Sequence, residues 1–185
     1  MIRYSLLSLM VSSSLLLAGS LSEEEAIQKG SAISANLVQK LSVELKGHMQ
    51  SSGPLGALNF CSQNALSLTD QVAKESNATI KRVSLNNRNP INSTNADEQA
   101  LLRKWEKLQY SQQPLPAYEI QNKPNRNYSF YKPIVLNNEV CLKCHGEIAS
   151  DSPLSKEIKT LYPEDKAVGY KMGDLRGMIV VTFPR

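Results

Sequence analysis

The sequence predicts an α+β fold, with a long N-terminal helix leading into a late antiparallel sheet flanked by helices. Three observations carry this. Apolar residues recur at helical spacing through most of residues 22–74, strand-forming segments gather toward the C-terminus, and strands do not alternate with helices as a parallel sheet requires. A chain of 185 residues can bury one real core, not two large ones.

The first helix is expected from Ser22 to about Met49. Ser22 can cap it, and Glu23, Glu24 and Glu25 lie at the positive end of its dipole. Ile33, Leu37, Leu41, Leu45 and Met49 then recur every fourth residue, with Val38 and His48 beside them. That length exceeds the usual globular range, so part of it is expected to project or to pack along a partner. Ser51-Ser52-Gly53-Pro54 should end it.

A second helix, Leu55 to Lys74, places Leu58, Cys61, Ala65, Leu68 and Val72 on one buried stripe. Thr79 to Leu85 reads as a strand on its β-branched content, and Asn86 to Thr94 reads as a loop turning at Asn89-Pro90. Thr94 and Asp97 have capping-box spacing ahead of a third helix whose face is Leu101, Trp105 and Leu108. Strands follow at Ala117 to Gln121 and at Tyr128 to Val135, the latter containing Pro133. A short helix is expected from Leu154 to Leu161, and Met178 to Phe183 is the clearest strand in the chain.

Residues 1–20 read as an export signal. Arg3 supplies positive charge, Leu6 to Leu17 form a short apolar run, and Ala18-Gly19-Ser20 offers small residues for cleavage. The run is too short to span hydrocarbon, which takes roughly 20 residues. The expected mature chain therefore has no stable membrane span, lies in the periplasm or another extracytoplasmic space, and carries a formal charge of +3 against +4 for the whole, since only Arg3 is lost. Its Lys and Arg residues are scattered among Asp and Glu, and no basic stripe alternates with aromatics. That excludes a nucleic-acid track.

Three cysteines, Cys61, Cys141 and Cys144, are an awkward number for a disulfide framework in an oxidising compartment. Cys141-Leu142-Lys143-Cys144-His145 has the C-x-x-C-H spacing of covalent haem attachment. Two thiols three positions apart reach one side of a porphyrin, and the adjacent imidazole meets iron. A thioredoxin-like motif would follow an early strand and has no need of the histidine. Structural zinc takes four ligands, and only Cys61 and His48 would be left to complete the set. The second ring nitrogen of His145 needs an acceptor that the sequence does not name. Opposite His145, an empty position, water, Cys61, His48 or a Met all stay open, although Cys61 faces inward and a lone exported thiol is easier to explain as a ligand.

Several ordered motifs resemble the Tll-type haem-binding family, also described as DUF3365. They are Cys61, Arg82-Val83-Ser84, Arg88-Asn89-Pro90 with Asn92, Trp105-Glu106, Pro133-Ile134, Cys141 through Gly146, Tyr162-Pro163 with Asp165 and Ala167, Gly169-Tyr170, and Gly173-Asp174 with Arg176-Gly177. The resemblance implies a PAS-like fold over residues 55–185, preceded by a helical extension at 21–54. It also implies one covalent haem c, with iron held between His145 and Cys61. Arg82 and Arg88 then become candidates for the haem propionates, since a guanidinium fork matches a carboxylate. Tyr131 becomes a candidate hydrogen-bond donor near the haem, against the alternative of an ordinary sheet tyrosine. Tyr162 and Asp165 read as architectural. Family members often serve as the input part of signalling proteins, yet this chain shows no transmitter region. The implied function is a redox sensor acting through an unidentified partner protein, with a small electron-transfer cytochrome as the alternative. A peroxidase fits less well, because it needs an open iron site, and no enzymatic activity is expected.

Overall fold

The computed structural model describes residues 21–124 and 128–184; the export signal expected over residues 1–20 lies outside them. The described residues form four α-helices, α1 (Glu23–Glu75), α2 (Ala96–Tyr110), α3 (Glu139–His145) and α4 (Pro153–Leu161), and one 3-10 turn at Pro90–Asn92. These surround the strands β1 (Thr79–Val83), β2 (Glu119–Asn122), β3 (Tyr128–Val135) and β4 (Leu175–Thr182). The strands make one antiparallel sheet in the order β1-β4-β3-β2. This is the predicted α+β class, and its layout is consistent with a PAS-like architecture.

The two helices expected over residues 22–74 are one element folded at a kink. Ser22 caps it through a capping box with Glu25, whose N–H donates to the Ser22 hydroxyl at 3.3 Å. At Gly53 the backbone takes φ 64° and ψ −167°, a region open in practice to glycine alone, and Pro54 follows. Lys40 and Glu75 form an ion pair at 2.9 Å, whereas a straight helix would hold them about 50 Å apart. The chain therefore doubles back at Gly53.

Period-two alternation divides the core between the two faces of the sheet. On one face Ile80, Phe130, Ile179 and Val181 pack with Ala26, Ile33, Leu37 and Val72 of α1. On the other, Val83, Tyr131, Met178 and Val180 pack with Leu101, Leu102 and Trp105 of α2. The first arm of α1 is thus part of the main core at its N-terminal end instead of projecting. Gly30 makes the approach possible, because a Cβ there would overlap the Phe130 ring.

Several local details differ from expectation, β2 at Glu119–Asn122 in place of Ala117–Gln121 among them. The cap of α2 is Asn95 with Glu98, one residue later than Thr94 and Asp97. The Glu98 N–H donates to Asn95 Oδ1 at 2.9 Å, and the Asn95 N–H donates back to the Glu98 carboxylate at 3.0 Å. β1 stops at Val83 because the next N–H, of Ser84, turns to the Asn92 carbonyl at 3.1 Å. β4 starts earlier than the expected Met178, at Leu175, with Gly177 inside the strand opposite Ile134.

Candidate functional site

The C-x-x-C-H segment folds as α3. Asn138 caps it by accepting from the Val140 N–H at 3.0 Å, and Glu139 complements the dipole in the first turn. Helical spacing brings Cys141 and Cys144 to one face and ends the helix on His145. All three cysteines are free thiols.

The ring of His145 is oriented by the loop after α4. Its Nδ1 lies 2.7 Å from the Ala167 carbonyl oxygen. A carbonyl can only accept, so Nδ1 carries the proton and Nε2 presents a bare lone pair. The Tyr170 N–H donates to the His145 carbonyl at 2.9 Å and the Gly169 N–H to that of Gly146 at 3.1 Å, fastening the same loop to the end of α3. Burial pushes the imidazole pKa down to about 3, the nearby charges of Arg176 and Arg88 push the same way, and the Ala167 bond opposes them. His145 is thus held neutral, as a metal ligand must be.

Arg88, from the loop after β1, clamps this arrangement. Its Nε and Nη2 donate to the two oxygens of Asp165, both at 3.1 Å, and Nη2 also reaches the carbonyls of Cys144 at 2.6 Å and Ala167 at 3.2 Å. Asp165 in turn accepts from the Ala167 N–H at 2.9 Å. One guanidinium therefore fixes the last turn of α3 and the carbonyl that orients His145. Arg176 lies 5.5 Å from the centre of the Tyr170 ring, which meets His145 edge-on at 6.4 Å.

The second arm of α1 and β1 supply the opposing side. Burial pushes the Cys61 thiol above its usual range, proximity to Cys144 adds to this, and Arg82 and Arg88 pull it back. Burial likewise raises Cys144 and Cys141, with Lys46 pulling Cys141 down. Arg82 Nη2 donates to the Ala65 carbonyl at 3.2 Å, one turn beyond Cys61. Along the first arm of α1 the apolar stripe loses burial before its end: Ile33 and Leu37 are buried, while Leu41, Leu45 and Met49 are only half-buried.

These features fit a flat apolar cofactor bearing carboxylates. The thiols form no disulfide, an imidazole offers its lone pair, apolar side chains are incompletely covered, and Arg82 Nε is buried with no partner among the described residues. A structural zinc site fits poorly, since no three His, Cys, Asp or Glu side chains converge among the described residues.

The structure gathers Cys61, Cys144, Arg82 and Arg88 within electrostatic reach of one another, with Cys141 and His145 on the same short helix as Cys144. It does not bring Tyr131 to them. That side chain is buried against α2, on the sheet face away from α1. His48 stacks on Phe60, ring centres 4.1 Å apart. The Ala167 carbonyl and the Arg88–Asp165 pair escaped sequence reasoning as a unit, because a carbonyl has no residue signature and the pair spans 77 positions.

Among curated proteins nothing matches. Among solved structures, the crystal structure of the cyanobacterial haem protein Tll0287 is similar at 21 % identity with a TM-score of 0.67, covering 89 % of this chain and 98 % of that one. At that identity the likeness shows a shared fold. The model of the Tll0287-like family matches residues 19–184, including the doubled α1 as well as the sheet. On that match the chain belongs to the Tll0287-like family.

Proposed function

We propose that this chain is an exported c-type haem protein that acts as a redox sensor through a partner protein. The observation that carries the reading is His145, placed at the end of the Cys141–Cys144 helix with Nδ1 committed to the Ala167 carbonyl. Metal-ligating histidines characteristically donate their other ring N–H in this way, which fixes tautomer and basicity.

Cys141 and Cys144 would hold the haem by thioethers, with His145 and Cys61 as the iron ligands. When bound, the group supplies one-electron chemistry at a potential set by its axial ligands and their hydrogen bonds. The protein's part is positional. Ala167 keeps the proton on Nδ1, Arg88 and Asp165 keep Ala167 and α3 together, and α1 carries Cys61 on an arm hinged at Gly53. That last placement favours a sensor over a simple carrier, because a change of hold on Cys61 acts on a segment that follows the Gly53 kink. Cys61 would fill the position that a peroxide needs, which argues against a peroxidase. Maturation outside the cytoplasm follows from the export signal read in residues 1–20, and no described helix is long and apolar enough to cross a membrane.

The test is denaturing mass spectrometry of the chain matured in an export pathway competent for haem attachment. One added haem is expected, and its loss when both Cys141 and Cys144 are replaced by Ser. Wild-type chain recovered without haem, both thiols free, would overturn the reading.

A further inference from the structure

Arg82 and Arg88 look interchangeable in the sequence, but the structure separates them. We infer that Arg82 is the seat of a carboxylate, a propionate of the bound haem, while Arg88 is a clamp within the protein. The inference rests on the haem reading above.

Arg88 has no capacity to spare on its Asp165 edge. That edge makes two bonds to the carboxylate, and Nη2 adds two carbonyls, with both side chains of the pair largely buried. Arg82 is the opposite case. Its one hydrogen bond goes to the neutral Ala65 carbonyl, and its Nε is buried with no partner. The groups whose charges act on it are Cys61 and Tyr162, not a carboxylate.

A guanidinium stays charged in proteins, and a buried charge requires a partner. Since the described residues offer Arg82 none, the anion comes from a ligand. The free Nε shares an edge with Nη2, the edge with which Arg88 grips Asp165, and that geometry suits a carboxylate. Arg176 also has an unpaired Nε, but it is otherwise provided for. Its Nη1 donates to the Ser84 hydroxyl at 2.7 Å and the Asn86 carbonyl at 3.1 Å, and its charge lies over the Tyr170 ring. Arg82 also sits beside Cys61, within the site proposed for haem, which makes a propionate the source over a free anion.

The experiment compares haem-matured full-length wild type with Arg82→Gln, Arg82→Lys and, as a surface control, Arg103→Gln. Ala65 retains a second donor, the Thr69 hydroxyl at 2.8 Å, so losing Arg82 does not strip that carbonyl. Mass spectrometry should show haem in all four. The propionate bending band in the resonance Raman spectrum should shift in Arg82→Gln, fall between in Arg82→Lys, and stay put in Arg103→Gln. An unshifted band in Arg82→Gln overturns the assignment. Titration with acetate separates the sources: a propionate-filled site leaves the wild-type spectrum unchanged. A saturable change in wild type that Arg82→Gln lacks would mean a free carboxylate binds there, and the propionate assignment falls. Wild type without haem would fail the mass measurement first and remove the reading beneath the inference.

Discussion

His145 donates its Nδ1 proton to Ala167, and that bond selects the one tautomer whose other nitrogen can bind a metal. Maintaining it requires a chain of small constraints: Arg88 grips the Ala167 carbonyl, and Asp165 grips both Arg88 and the Ala167 N–H. Replacing Arg88 by Lys would keep the charge but lose the fork. The same burial that holds His145 neutral has a consequence for stability in haem-free chain. The folded pKa is about 3 against an ordinary value of 6.5, so between these values the unfolded chain takes up the proton more readily than the folded one. The contribution of His145 is therefore full above pH 6.5, declines by about 1.4 kcal/mol per unit as pH falls toward 3, and levels below. Urea denaturation of haem-free wild type and His145→Gln across that range should show the wild type losing more stability. Parallel curves would mean that the imidazole is solvated.

At the scale of elements, α1 was legible in its stripes and caps but not in its shape. Four-residue apolar spacing and Ser51-Ser52-Gly53-Pro54 announce two helical runs; nothing local announces that they fold back to join Lys40 to Glu75. The reversal depends on Gly53, whose φ of 64° with ψ of −167° strains any residue with a Cβ. Gly53→Ala should cost about 1–3 kcal/mol. Gly47 is the control: it is helical, and a Cβ there meets nothing within 4 Å. Gly47→Ala should stabilise by up to about 1 kcal/mol. Chemical denaturation midpoints decide it, and equal effects of the two substitutions would remove the kink from its assigned role. α3 was invisible as a helix because seven residues are too short a window to show a period.

For the whole molecule, the sheet was legible because β4 alternates its burial between two cores, Ile179 and Val181 on one side and Met178 and Val180 on the other. The candidate site was legible only where chemistry is written in residue types, at Cys61, Cys141, Cys144 and His145, the residues proposed to hold the haem. The division of labour between Arg82 and Arg88 depends on partners at Ala65 and Asp165 that only folding brings near. The folded arrangement also bears on sensor against carrier. Val72, at the far end of the second arm, is anchored in the core with the sheet, whereas Cys61 is only partly buried and lies eight residues past the Gly53 kink. A change of hold on Cys61 would thus loosen residues 53–68 down to their remaining anchors, the buried Ala57, Leu58 and Ala65, without unfolding the end held by Val72. A thiolate donates more strongly to ferric than to ferrous iron, and a ligand shifts an equilibrium only by such a difference between states. Reduction should therefore raise hydrogen exchange in residues 53–68 of haem-loaded wild type and leave the β3–β4 amides unchanged. Cys61→Ala should show the raised exchange in both oxidation states, since its arm has no ligand to lose. A carrier keeps its ligands through the cycle. Identical exchange in ferric and ferrous wild type, with Cys61→Ala raised above both, would leave electron transfer as the function.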